Sequence, residues 1–202
     1  SAETTDLELD RLNSETARLY QSGRYGEAIA IGERALRHAE SAYGRDAVIV
    51  SAPLNNLALL YQAQGRYPEA EDLFRRSLEI LERAFGQDHT NVAAALNNLA
   101  MVFQAQGRFS EAEDLFRRSS EICERALGQD HPDLATSLNN LAVIYRAQGR
   151  YSEAEPLFRR SMAIWERALG QDHPHVATSL NNLAALYQIQ GRYSEAEPPI
   201  HR

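Results

Sequence analysis

The tripeptide Leu-Asn-Asn returns at Leu54, Leu96, Leu138 and Leu180, always 42 residues on, and a chain that repeats at this period cannot build one central core. Each unit is too short to bury an apolar face alone, so it must stack on its neighbours and share a core that runs along the chain. Other motifs keep the same step. Gln-Gly-Arg begins at Gln64, Gln106, Gln148 and Gln190, Glu-Ala-Glu at Glu69, Glu111, Glu153 and Glu195, and Gly-Gln-Asp-His at Gly86, Gly128 and Gly170. Residues 93–134 and 135–176 share 29 identities in 42, which marks duplication of one unit. One period earlier, Asn13, Gly23, Tyr25, Glu27 and Tyr43 form a diverged first copy. The expected organisation is a single array over 1–202: a diverged repeat at 5–46, full repeats at 47–88, 89–130 and 131–172, and an incomplete repeat at 173–202.

Within a unit, Leu138, Leu141, Ala142 and Tyr145 fall at i, i+3, i+4 and i+7, the apolar stripe of an amphipathic helix A. Gly149 stops it. Ser152 and Glu155 then read as a Ser-x-x-Glu capping box that opens a helix B through Ala154, Leu157, Phe158, Ser161 and Ile164. With Ser152 as cap, Pro156 falls in the first turn, where its missing N–H costs nothing. Gly170 closes helix B and Pro174 starts the next helix A. The spacing predicts nine helices from about residue 5 and a stub of a tenth at Ser194 to Ile200, shortened by Pro198 and Pro199.

A small residue on helix A, an aromatic three later and Gly-x-aromatic-x-x-Ala at the turn appear as Ala58, Tyr61, Gly65, Tyr67 and Ala70. The set recurs as Ala100, Phe103, Gly107, Phe109 and Ala112, as Ala142, Tyr145, Gly149, Tyr151 and Ala154, and as Ala184, Tyr187, Gly191, Tyr193 and Ala196. This pattern resembles the tetratricopeptide repeat family from about Asp6 to Pro198. The 42-residue period, with Leu-Asn-Asn-Leu-Ala and Asp-His-Pro, is similar to the repeats of kinesin light chains and of many bacterial proteins. The resemblance implies an all-α, right-handed superhelical solenoid of antiparallel helix pairs that serves as a scaffold for protein partners.

Composition narrows the function. Net charge is −7, and all 21 basic residues are arginines, a usage expected of a GC-rich bacterial genome. An acidic chain is a poor general nucleic-acid binder, because phosphates need a positive surface. No apolar run is long enough to span a bilayer. Ser1 to Leu12 lack the basic start and apolar stretch of a secretory signal, and the single Cys123 excludes an internal disulfide. A cytoplasmic protein is expected.

No Gly-rich phosphate loop, His-Glu-x-x-His or nucleophile elbow occurs, so neither an enzyme nor a cofactor is expected. Asp88-His89, Asp130-His131 and Asp172-His173 suggest a metal, but one repeat should separate them by on the order of 10 Å, too far for one ion. Each Asp reads better as a cap for helix A. The twin arginines Arg75-Arg76, Arg117-Arg118 and Arg159-Arg160 follow acidic residues at i−4, as in Glu71 to Arg75 and Asp72 to Arg76, which describes a solvated face; an anion-binding stripe is the other reading. Leu81, Cys123 and Trp165 share one helix B position, and a slot that accepts such different residues does no chemistry.

The paired asparagines have two uses. Asn is a mediocre helix former, and Asn139, with Val143 and Arg146, lies off the packing stripe, on the face that lines the concave groove in the family. The amides can bond between neighbouring helices A, or hold a peptide backbone. The candidate groove residues are Asn55, Asn56, Asn97, Asn98, Asn139, Asn140, Asn181 and Asn182, with Met101, Gln104, Val143 and Arg146 giving selectivity. Cochaperone members of the family clamp a carboxylate with basic residues beside such an Asn. Here Leu59, Met101, Val143 and Ala185 stand there, so a chaperone tail does not fit. Two rival readings remain: an array that self-associates end to end through its C-terminal edge, and a regulatory arm of a larger multidomain protein.

Overall fold

The computed structural model describes residues 6–196, which are helical with no strand among them. The helices are α1 (Leu7–Gln21), α2 (Tyr25–Tyr43), α3 (Ser51–Ala63), α4 (Tyr67–Phe85), α5 (Thr90–Ala105), α6 (Phe109–Leu127), α7 (Pro132–Ala147), α8 (Tyr151–Leu169), α9 (Pro174–Ile189) and α10 (Tyr193–Ala196). Odd-numbered helices are helices A and even-numbered ones helices B. The chain forms two compact units, Ser1–Gln106 with α1 to α5 and Gly107–Arg202 with α6 to α10. In each unit a helix packs on the one before and the one after it, giving a stack of helix pairs.

Helix A ends as its glycine demands. In α3, Gly65 takes φ +73°, which a side chain would resist, and Arg66 N–H then donates back to the Tyr61 carbonyl at 2.8 Å. The same left-handed turn occurs at Gly149, where Arg150 N–H reaches Tyr145.

The helix starts differ from the sequence reading. Ser152 is not a cap. α8 begins at Tyr151 with Arg150 as its N-cap residue, which makes no side-chain cap hydrogen bond. The link is so short that Arg150 both closes the turn after α7 and opens α8, leaving Ser152 inside the helix. In place of a capping box, the Arg150 guanidinium pairs with Glu153 at the third helical position, 2.7 Å away. The caps of helices A also shift by one residue. His89, His131 and His173, not the aspartates before them, accept through Nδ1 from the N–H two residues on, at 3.1, 3.2 and 3.2 Å. The imidazole has the reach because each histidine sits directly before the helix in extended backbone.

Pro156 therefore lies at the sixth helical position of α8, where its nitrogen should have donated to the Ser152 carbonyl. α4 and α6 carry Asp72 and Asp114 at this position. Pro156→Asp is expected to stabilise the fold by about 1–3 kcal/mol, within the cost of an interior proline. Thermal melting checks this, and an unchanged or lower Tm would show that the helix needs the proline. Pro198 stands 42 residues later; with Pro199 and Ile200 it lies outside the described residues.

The cores repeat as well. In unit 1, Leu54 packs with Leu12, Ala35 and Ile80, while Leu57 and Leu60 pack on Ala28 of α2. Gly32 of α2 faces the same cluster, and a Cβ there would make ordinary contact with Leu57 Cδ1, at 3.4 Å. Phe74, Phe116 and Phe158 are fully buried on their helices B.

The twin arginines divide their work. Arg75, Arg117 and Arg159 pair with Glu71, Glu113 and Glu155 on the same helix, as the i, i+4 spacing predicts. The expected pairing of Arg76 with Asp72 gives way to a longer one. Arg76 reaches Glu40 of α2 at 2.5 Å and the Arg45 carbonyl at 2.7 Å, and Arg160 reaches Glu124 of α6 at 2.7 Å. The side chain leans toward the preceding helix B, where a carboxylate awaits it.

A second set of contacts joins the turn arginines to the helix before. Arg192 lies over the Tyr187 ring at 4.6 Å and donates to Glu155 at 2.7 Å, and Glu155 also accepts from Arg159 and from Tyr187 Oη. Arg150 repeats this with Tyr145 and Glu113. The Arg192 hydrogen bond is the main reason that the Glu155 carboxyl titrates below its ordinary value of 4.5, with Arg159 and Tyr187 adding to it against the cost of burial. A depressed folded value means stabilisation that is present above pH 4.5 and lost as pH falls through the folded value. Tm of the native protein should therefore drop more steeply on acidification below that pH than Tm of Glu155→Gln, and parallel curves would remove Glu155 from the acid transition.

Candidate functional site

The face built by helices A carries the paired asparagines, and the structure divides them. In unit 1, Asn98 Nδ2 on α5 donates to Asn55 Oδ1 on α3 at 2.8 Å. In unit 2, Asn182 Nδ2 on α9 donates to Asn139 Oδ1 on α7 at 3.1 Å. The second asparagine of one repeat thus bonds to the first of the repeat before, across 43 residues. The reading in which amides link neighbouring helices A is present in both units. Asn139 is buried by it, at 8% exposure.

Three amides are left over. Asn56, Asn140 and Asn181 make no side-chain hydrogen bond among the described residues, and all three keep some exposure. Each presents a donor and an acceptor to whatever lies on the helix A face. Asn97 is half-buried.

The proposed selectivity residues are also accessible. Met101 is 43% exposed, and Gln104 and Val143 are half-buried. Arg146 is held by the ladder itself: its guanidinium donates to Asn182 Oδ1 at 3.3 Å and lies 5.7 Å from the Phe158 ring centre. Its charge is thus positioned and not free to swing.

A feature that the sequence did not reveal lies beside the Asn55–Asn98 bond. A hollow of about 240 Å³ opens between α3, α4 and α5, with Asn55, Asn91, Asn98 and Ser77 as polar walls and Leu81 and Ala94 as apolar ones. In unit 2 the residues matching Leu81 are Cys123 and Trp165, both buried, and Trp165 stacks on His175 with ring centres 4.8 Å apart. The variable helix B position thus lines the space behind the asparagines. The signal was in the sequence as Leu81, Cys123 and Trp165; its meaning needed the neighbouring helix.

A second hollow, of about 510 Å³, lies along α9, lined by Arg159 and Met162 of α8, Leu180, Ala184 and Tyr187 of α9, and Glu195 of α10. Leu138 at the matching position of α7 is 4% exposed, whereas Leu180 is 47% exposed. Among the described residues no three His, Cys, Asp or Glu side chains gather as metal ligands, and Cys123 is buried, which raises its thiol above the ordinary value.

The tetratricopeptide repeat profile matches residues 17–83, 50–125, 91–164 and 133–199. No curated protein sequence matches. Among solved structures, BtubC (BKLC) from P. vanneervenii superposes with a TM-score of 0.81 at 25% identity, covering 93% of this chain and 74% of that one. A Podosopora anserina protein with nearly identical TPR-like repeats, described as a kinesin light chain, superposes with a TM-score of 0.78 at 29% identity, covering 93% and 89%. A variant of it gives 0.80 at 28% identity with the same coverage.

Proposed function

Because this chain belongs to the tetratricopeptide repeat family, we propose that it is a non-enzymatic scaffold that holds an extended peptide or protein segment on the helix A face of each unit. The observation that carries the reading is the trio of unspent amides, Asn56, Asn140 and Asn181, on a face whose other asparagines are bonded in place. An amide with no partner in the chain offers a donor and an acceptor, the pair that a peptide backbone matches. Asn55, Asn98, Asn139 and Asn182 are the frame; Asn97 and the free three make the contact surface. Met101, Gln104 and Val143 read side chains, and Arg146 favours an acidic one. No described helix is long and apolar enough to cross a membrane, and a cytoplasmic setting fits a reduced Cys123.

The test is a screen of extended peptides against the whole chain. The best binder should lose at least about tenfold in affinity with Met101→Glu or Val143→Glu, roughly the cost of one misplaced charge. Glu79→Ala, on a helix B, should change nothing. Loss of binding with the Glu79 variant alone would move the site to the helix B face.

A second reading is favoured by the groove on α9: the chain self-associates through its C-terminal edge. The exposed Leu180 is the kind of apolar surface that marks an association site.

A further inference from the structure

The hollow between α3, α4 and α5 is built from residues of unit 1 alone, inside the array. None of its lining residues is charged, and the polar ones are Ser51, Asn55, Ser77, Asn91 and Asn98. The bond from Asn98 Nδ2 to Asn55 Oδ1 spends one donor and one acceptor. It leaves Asn55 Nδ2 and Asn98 Oδ1 without a partner among the described residues, and both atoms keep contact with solvent. The Asn91 amide, exposed on the first turn of α5, makes no side-chain hydrogen bond either. Ser77 is the most buried of the five, and it gives its proton to the Ser51 carbonyl at 3.4 Å, so its oxygen can still accept.

Each class of side chain meets these atoms differently. A carboxylate only accepts, which would set it against Asn98 Oδ1. An ammonium or guanidinium only donates, and no carboxylate lines the hollow to offset its lost water. An aliphatic or phenyl group would fill the space and take the amides out of water unpaired. A hydroxyl has a single proton for the two unspent acceptors, Asn98 Oδ1 and Asn91 Oδ1. A primary carboxamide carries two N–H donors and an acceptor in one plane, and Ala52, Leu81 and Ala94 give its stem apolar walls. The second methylene of glutamine adds reach toward Ser77 that asparagine lacks.

Unit 2 differs at the matching positions. Trp165 stands for Leu81 and stacks on His175, which stands for Asn91, while Asn182 Oδ1, the counterpart of Asn98 Oδ1, already accepts from Arg146 at 3.3 Å. The unspent amide pair beside an open space is not repeated there. We propose that the hollow in unit 1 is a subsite for one glutamine side chain of the bound segment, whose carboxamide accepts from Asn55 Nδ2 and donates to Asn98 Oδ1 and Asn91. The inference rests on the helix A face reading above and names one side chain of its ligand.

The experiment is a set of short extended peptides in which each position in turn is fixed as Gln, Glu, Lys, Leu or Phe, measured against the whole chain. One position should favour Gln over each of the others by roughly ten- to a hundredfold, the cost of an amide left unpaired or a charge left unmatched. Leu81→Trp, which installs the side chain of the Trp165 position, and Asn91→Ala, at an exposed site, should each keep the circular dichroism of the parent and flatten that preference. Binding that Met101→Glu weakens, with no preference for Gln at any position, would overturn the subsite and leave the helix A face reading standing. A preference for Phe at that position, or a Gln preference that persists in both variants, would also overturn it. Binding of no peptide at all overturns both readings.

Discussion

Phe158→Ala is expected to lower the unfolding free energy by about 3–5 kcal/mol, the cost of a large cavity in a packed core. Phe158 is fully buried on α8, and its position in the period is Phe in every full repeat, at Phe74, Phe116 and Phe158. Ala142 of the preceding helix A is also 0% exposed. The loss should also be local. In a stack where each helix touches only helices of its own and the adjoining repeat, stability is a sum of short-range contributions. Hydrogen exchange should therefore rise in α7 to α9 first, while α1 to α4 keep their protection. Uniform loss across the chain would mean that the array melts as one cooperative block.

That locality explains what was legible in the sequence. The period gave the number of helices, because each motif has to recur wherever its packing recurs. Helix A ends could be read from Gly65 and Gly149, since a left-handed turn is a property of one residue. Helix starts were less legible. Aspartate and histidine both cap helices, and only the backbone before α7 shows that His131 holds the position and Asp130 does not. Ser152 has the right spacing from Glu155 for a capping box, but the three-residue link before α8 had already used Arg150 for the start.

The long pairings were not legible at all. Arg150 to Glu113, Arg76 to Glu40 and Arg160 to Glu124 span 36 or 37 residues, a distance set by how helices B lie beside one another and by nothing local. A sequence reading of Arg76 naturally chooses Asp72, four residues away. The asparagines fall between these cases. Their repetition marked them as special, and both of their uses were foreseeable. Which amides are spent depends on a 43-residue offset between helices A that only the packed register reveals.

This division allows the two uses to be separated by experiment. Asn98→Ala breaks the bond to Asn55, so it should lower stability by about 0.5–1.5 kcal/mol, the net worth of a typical hydrogen bond, with the Tm shift as readout. Asn56→Ala together with Asn140→Ala breaks no bond within the chain and should leave the melting curve in place. If each free amide gives a ligand backbone one hydrogen bond of that size, the double variant should bind the screened peptide roughly ten- to a hundredfold more weakly. The two outcomes must fall on different variants. Should Asn56→Ala with Asn140→Ala bind normally while Asn98→Ala alone loses the peptide, the free amides are surface decoration and the bonded pair itself meets the ligand. Should neither variant affect binding, the peptide is held by side-chain contacts at Met101, Val143 and the hollow beside Leu81, and Leu81→Trp, which puts the indole of the Trp165 position into unit 1, becomes the substitution that closes the site.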